Sequence, residues 1–293
     1  MAAATPSYQE KALALEQEAN TSYTPQGNRR FAELTMKAAN FYIAAKKHKE
    51  AADAYSRAAQ CYTSLFQPTD GVTTYIKASN AYKECDLAKA AQCLEFAVDY
   101  YVGEGQFGTA AKYRERMAGM YEKLEDSDNA IMCWEAAADF CEIENAAMPM
   151  ARCLEKVAEH AALARDYGKA EELFRKVHRL VKSEPGWASA AYEYLFNARL
   201  CLLLMAGRGP VSVEAELRSH ANGQLLPSSK PASMFMHNIL ATFRRNDPDK
   251  FSQVVNDYNR IHKLTEWQAA MMLRIGELFP EGDDTEEEQK SAE

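Results

Sequence analysis

Glycine is scarce in this sequence, thirteen residues in 293, and none of them falls into a phosphate-cradling loop. That excludes the P-loop and dinucleotide fingerprints, whose backbone must approach a phosphate closely. No HExxH, GxSxG or kinase signature occurs either. The seven cysteines include no CxxC pair, and none has zinc-ligand spacing to another cysteine or a histidine. No metal and no cofactor is therefore expected. Cys93, Cys133 and Cys153 read as small buried apolar residues of a reducing compartment. The longest strongly apolar run, Leu200 to Ala206, is far shorter than the ~20 residues that cross a bilayer. The N-terminal stretch has neither the basic start nor the apolar run of a secretory signal, so a cytoplasmic location is expected. An overall excess of positive charge is also missing. The formal net charge is −8, which argues against nucleic acid as a partner. Seven acids against Lys290 lie from Glu281 onward, so the body of the chain is nearly neutral and the acidity belongs to a tail.

What the chain does have is a repeat. Ala51-Ala52 recurs as Ala90-Ala91, Ala130-Ile131 and Ala170-Glu171, in steps of about 40 residues. Four residues after each first alanine stands a large apolar group: Tyr55, Leu94, Trp134 and Phe174. Seven residues after it stands a small one: Ala58, Ala97, Ala137 and Val177. Small, large at +4 and small at +7 mark one face of a helix that a neighbour approaches closely. A second phase precedes the first: KAANFY at Lys37 returns as KASNAY at Lys77, then more loosely at Arg116 and Lys156. Each unit is therefore helix, polar turn, helix, with KKHKE, KECDL, EDSDN and ARDYG as the turns. Such a pair cannot bury its own apolar face, and stacking builds the core. The expected fold is all-α, a right-handed TPR-like solenoid of antiparallel helix pairs over residues 1–185. A C-terminal helical bundle is expected over 186–279 and a disordered acidic tail over 280–293. Within the bundle the pattern predicts helices at 187–205, 211–221 and 231–245, one starting at Pro248, and a last one over 265–278.

No histidine pairs with a cysteine or carboxylate at ligand spacing. Adjacent acids such as Glu171 and Glu172 diverge on a helix, so no general acid/base pair is expected. The patterned polar feature is basic. Lys112 and Arg116 are four apart, Arg152 and Lys156 repeat them 40 residues on, and Lys77 and Lys83 lie one unit earlier. Stacking predicts a basic stripe suited to an elongated acidic partner, the alternative being ordinary solvated helix faces balanced by Glu115, Glu155 and Glu159.

Several stretches together resemble the soluble NSF attachment proteins, SNAPs, closest to the alpha/beta type. They are KAANFYIAAKKHKEAADAYSRAAQCY, GQFGTAAKYRERMAGMYE, DNAIMCWEAAADF, CLEKVAEHAALARDYGKAEELFRKV and, near the end, DYNRIHKLTEWQAAMMLRI. The resemblance covers about residues 10–277. It implies a non-enzymatic adaptor, several copies of which coat an assembled SNARE complex of syntaxin-type, SNAP-25-type and synaptobrevin-type helices. The adaptor then recruits the hexameric ATPase NSF, which pulls the SNAREs apart. By position, Lys112 and Arg152 match the basic residues facing the SNARE bundle, with Lys77, Lys83, Arg116 and Lys156 alongside. Leu273, Arg274 and Leu278, with Asp283, Asp284, Glu286 and Glu287 of the tail, match the ATPase-binding end.

The sequence departs from the family in three places. The segment TSYTPQGNRR stands where the family carries membrane-inserting phenylalanines. Tyr23, Arg29 and Arg30 imply only weak membrane-surface contact there, at about 1 kcal/mol per arginine on anionic lipid. Arg244 and Arg245 stand where the family tends to be acidic, and the extended tail has no near-terminal leucine. Three alternatives to the full adaptor stay open. One is a specialised SNAP that binds without fully stimulating the ATPase. Another is a general TPR-type scaffold or co-chaperone, with Asn40, Asn80 and Lys77 imitating a carboxylate clamp. The third is an enzyme on a concave helical surface.

Overall fold

The computed structural model describes residues 7–23, 29–187, 190–206 and 231–279. Among the described residues every regular element is a helix. They run α1 Tyr8–Thr21, α2 Arg29–Ala44, α3 His48–Ser64, α4 Pro68–Tyr82, α5 Leu87–Gly103, α6 Phe107–Lys123, α7 Ser127–Ile143, α8 Ala147–Leu163, α9 Tyr167–Ser183, α10 Ala191–Ala206, α11 Pro231–Arg245, α12 Pro248–His262 and α13 Glu266–Gly276. The chain divides into two compact units, Met1–Cys153 and Leu154–Glu293, the division falling within α8.

In the first unit each helix from α1 to α7 packs on the next, a tetratricopeptide-like stack of hairpins. The repeated alanines form its seams: Ala51, Ala58, Ala90, Ala97, Ala130 and Ala137 have no exposed surface. Tyr55, Leu94 and Trp134 fill the gaps beside them and are buried. The aromatic residues that reach across also satisfy their polar ends. Tyr42 donates to Glu16 Oε2 at 2.6 Å, Trp134 Nε1 donates to Glu122 at 2.9 Å, and Tyr82 donates to Asp53. Buried tyrosine and tryptophan need such partners.

The turns repeat as faithfully as the helices. Asp86, Asp126 and Asp166, each 40 residues after the last, cap α5, α7 and α9 by accepting the N–H of Lys89, Asn129 and Lys169. Helix exits are closed by a residue in the left-handed region. These are Lys46, Phe66, Gly105, Glu125, Asn145 and Arg165, with Asn246 after α11. The next N–H then bonds five residues back, as in Lys47 to Tyr42 and Asp126 to Tyr121. That is the Schellman closure, which usually employs glycine. Here only Gly105 is one.

In the second unit Phe174, Leu195, Leu203, Ile239, Met271 and Ile275 form the centre of one apolar cluster. Trp267 packs against Phe174 with ring centroids 5.1 Å apart, and its Nε1 donates to Glu159 O at 3.1 Å. Helices α11, α12 and α13 begin where the sequence pattern places them, α13 behind a capping box of Thr265 and Gln268. Two boundaries differ: the last helix, expected to reach Leu278, ends at Gly276, and α10 starts late. The helix expected from Trp187 begins at Ala191. Gly186 has φ +83, which forces a turn before the helix and leaves Trp187 52% exposed. The expected helix at 211–221 and the acidic tail lie outside the described residues.

Candidate functional site

Of the six basic residues expected to form a stripe, Lys77 lies on α4, Lys83 directly after it, Lys112 and Arg116 on α6, and Arg152 and Lys156 on α8. Arg116 Nη2 donates to Asn80 Oδ1 of α4 at 2.7 Å. Arg152 Nη2 donates to both carboxylate oxygens of Glu115 on α6, at 3.0 and 2.9 Å. These two bonds stitch successive repeats and fix the orientation of both arginines, with Arg116 also lying over the Tyr113 ring at 5.5 Å. Lys156 instead pairs with Glu159 on its own helix at 2.9 Å. Lys77, Lys83 and Lys112 are exposed and make no ion pair among the described residues. The six predicted residues thus fall into two kinds: three cations engaged within the fold and three lysines facing solvent.

Lys112 borders a groove of about 580 Å³, lined also by Gly108, Glu115, Cys141, Glu144 and Arg152. Its base holds an arrangement that sequence spacing did not reveal. Glu115, Cys141 and Cys153, from α6, α7 and α8, place their donor atoms within 4.8 Å of one another. Cys153 Sγ lies 3.8 Å from Glu115 Oε1. Burial, reinforced by the Glu115 charge, pushes both thiols up, so they are protonated at neutral pH. Cys93 and Cys133 are buried, but each meets a polar side chain: Cys93 Sγ lies 3.8 Å from Ser56 Oγ, and Cys133 contacts Arg114.

Three further titratable groups lie wholly or partly buried in the second unit. Glu171 is buried but ion-paired with Arg175. His178 is fully buried with Nδ1 2.8 Å from Ala191 O, and burial lowers its pKa. The carboxyl of Glu155 is pushed up to about 7 by burial and the nearby Glu159 charge. It accepts from the Tyr194 hydroxyl at 3.3 Å.

At the proposed ATPase-binding end, Leu273 is 74% exposed, whereas Leu278 packs against the apolar cluster. Arg274 is turned inward: its two terminal nitrogens donate to Ala162 O and Leu163 O at 2.8 and 2.9 Å. The guanidinium thereby caps the C-terminus of α8, where unpaired carbonyls and the helix dipole favour a cation. Asp283, Asp284, Glu286 and Glu287 lie outside the described residues.

At the α1–α2 end, Tyr23 is 61% exposed and lies edge-on to Phe31, with centroids 5.3 Å apart. Arg29 pairs with Glu33 and Arg30 with Glu18. Arg29 is also close enough to Tyr62 and Asp70 to interact electrostatically. The α3–α4 turn therefore sits at the same end of the stack. At that turn Phe66 is 94% exposed. Sequence reading passed over it. The available signal was a phenylalanine at a helix exit, directly before Gln67-Pro68, where a core side chain has no partner.

Among the described residues no helix is long and apolar enough to cross a membrane. Residues 7–278 match the family model described as soluble NSF attachment protein, SNAP. The human alpha-soluble NSF attachment protein is 31% identical over 246 residues, 83% of this chain and 82% of that one. The bovine beta-soluble NSF attachment protein is 29% identical over 246 residues, covering 83% and 81%. The vesicular-fusion protein SEC17 of Komagataella phaffii is 24% identical over 274 residues, 91% of each chain. The chain therefore belongs to the soluble NSF attachment protein family, a family of adaptors and not of enzymes.

Proposed function

We propose that this chain works in vesicle fusion as an adaptor. On this reading it binds assembled SNARE four-helix complexes, several copies to each, and recruits the hexameric AAA ATPase NSF for their ATP-driven disassembly. The observation that carries the reading is the family match across residues 7–278. The three solvent-facing lysines support it, since an acidic helical bundle would find Lys77, Lys83 and Lys112 uncommitted on the stack. The arginines play a different part: Arg116 and Arg152 hold the repeats in register, and Arg152 presents its remaining guanidinium surface beside Lys112.

The carboxylate-clamp alternative has less support. Asn40 accepts from Tyr55 and Asn80 from Arg116, so both amides are held as packing elements between helices. Weak membrane contact is assigned to the end of the stack carrying Tyr23, Arg29 and Arg30, and Phe66 joins them as its most exposed apolar group.

The test is co-sedimentation with a preassembled SNARE four-helix complex at low and at physiological salt. Lys112→Glu is the informative variant, because it removes a cation without unpairing a carboxylate. Exposed charges of this kind are worth about 1 kcal/mol or less, so up to about a fivefold loss is expected. Lys77→Glu/Lys83→Glu/Lys112→Glu should abolish binding at physiological salt. Absence of wild-type binding at low salt to several SNARE sets would overturn the reading. For recruitment, Leu273→Ala should weaken capture of the ATPase on preformed SNARE complexes while leaving SNARE binding intact.

A further inference from the structure

We infer that Glu115, Cys141 and Cys153 form a binding site for a borderline-soft divalent cation, with Zn²⁺ the best match to the ligand chemistry. The three side chains come from consecutive helices, α6, α7 and α8, and none is a sequence neighbour of another. Their donor atoms nevertheless lie within 4.8 Å of one another. A tetrahedral zinc with metal–sulfur bonds of about 2.3 Å and a metal–oxygen bond of about 2.1 Å has ligand–ligand edges of about 3.5–3.8 Å. Cys153 Sγ and Glu115 Oε1 already stand 3.8 Å apart. Closing the widest pair takes a shift of about 1 Å, within the reach of side-chain torsions. Two sulfurs and one carboxylate oxygen select zinc over magnesium or calcium, which prefer all-oxygen shells.

The surroundings suit the charge. Two thiolates and a carboxylate leave a bound divalent ion with one excess negative charge. The Arg152 guanidinium, 2.9 and 3.0 Å from the Glu115 oxygens, offsets it and orients the carboxylate. Burial gives the site a dry floor: Cys153 has no exposed surface and Cys141 is 3% exposed. Glu115 and Cys141 also line the groove of about 580 Å³. The fourth coordination position accordingly faces the groove, open to water or to a donor from a bound partner. Binding displaces both thiol protons, so affinity rises with pH. The ion would clip three helices at the point where Arg152 joins two repeats. The inference stands on these side chains alone and is independent of the SNARE reading.

The experiment uses the full chain, reduced with a phosphine and stripped with chelator that is then removed. Co²⁺ serves as the optical probe and Zn²⁺ as its competitor. Expected is about one Co²⁺ per chain, with thiolate-to-cobalt charge-transfer absorption and the visible bands of tetrahedral cobalt, both removed by Zn²⁺. Cys141→Ser and Cys153→Ser should each weaken binding at least about tenfold and dim the charge-transfer band. Cys85→Ser, at the exposed thiol, should leave both unchanged. Circular dichroism checks the folding of each variant. If Cys153→Ser does not fold, Cys141→Ser, whose side chain lines the groove, carries the comparison. In the wild type alone, Zn²⁺ should raise the thermal midpoint. The inference fails if stoichiometric Co²⁺ gives no thiolate band, if Cys141→Ser titrates like the wild type, or if the band vanishes in Cys85→Ser.

Discussion

Replacing Phe66 by glycine should make this protein more stable and a poorer lipid binder. Phe66 closes α3 with φ +57 while its ring is 94% exposed. The left-handed conformation costs an L-residue about 1–2 kcal/mol. Glycine removes that term but gives the unfolded chain extra freedom, about 0.5–1 kcal/mol. The ring has almost no packing to lose, so the net gain is about 0.5–1 kcal/mol, a rise in thermal midpoint of about 1–4 °C. The next turn at the same end already shows the solution, with Gly105 in the same phase at φ +68. Phenylalanine at this position thus works against local stability, and a contact outside the folded chain would give its exposed ring a use. Burying the ring at a membrane surface is worth up to about 1.5–3 kcal/mol, so flotation with anionic vesicles should fall about tenfold or more. Phe66→Ala separates the effects: lipid binding should drop as much, with no gain in stability because alanine keeps the unfavourable φ. If Phe66→Gly destabilises the chain, the strain argument is wrong. If vesicle binding is unchanged in both variants, Phe66 does not contact lipid.

Three further outcomes are expected. His178 is neutral in the folded chain, its pKa lowered first by burial and further by the charges of Lys182, Arg175 and Arg179. At this site the unfolded chain therefore binds more protons below about pH 6.5, so His178 by itself lowers stability on acidification by at most about 1.4 kcal/mol per pH unit, while Glu155, pushed up to about 7, acts with the opposite sign over the same range. His178→Asn should therefore lose less stability, or gain more, than the wild type between pH 7 and 5 in urea titrations. Trp267→Phe keeps most of the apolar volume but loses the bond to Glu159 O, so it should cost about 1–3 kcal/mol by chemical denaturation, against about 3–5 for Trp267→Ala. Asp126→Ala removes the cap on Asn129 N and should cost about 1 kcal/mol. Faster amide exchange confined to the first turn of α7 would identify the loss as local.

Much of the fold is legible in the sequence because it is local and repeated. Helices α3, α5, α7 and α9 carry the same small–large–small face, and each small position of α3, α5 and α7 is a buried seam. The polar turns KECDL, EDSDN and ARDYG already display the aspartates that cap the following helices. The helix exits were harder to read. Lys46, Glu125 and Arg165 occupy a conformation usually signalled by glycine, so the Schellman turns leave little compositional trace. The start of α10 was displaced for the same kind of reason, because the φ of Gly186 outweighs the helical pattern beginning at Trp187.

The candidate site was legible as a list of charges but not as a set of partnerships. Spacing places Lys112 and Arg116 on one face of α6, and Arg152 and Lys156 on one face of α8. It does not say that Arg152 grips Glu115, that Arg116 grips Asn80, or that Arg274 caps α8 while Leu273 beside it stays in water. Nor does it bring Cys141 and Cys153 to Glu115. The sequence by itself determined the helices, their repeat and the family, because helical periodicity, caps and repeat matches are written within short windows. Only the tertiary structure decided which cations remain available and which donor atoms converge. Those outcomes depend on contacts between helices whose touching residues lie from 12 to 112 positions apart in the sequence, where a difference of an ångström separates an ion pair or a ligand set from a solvated side chain.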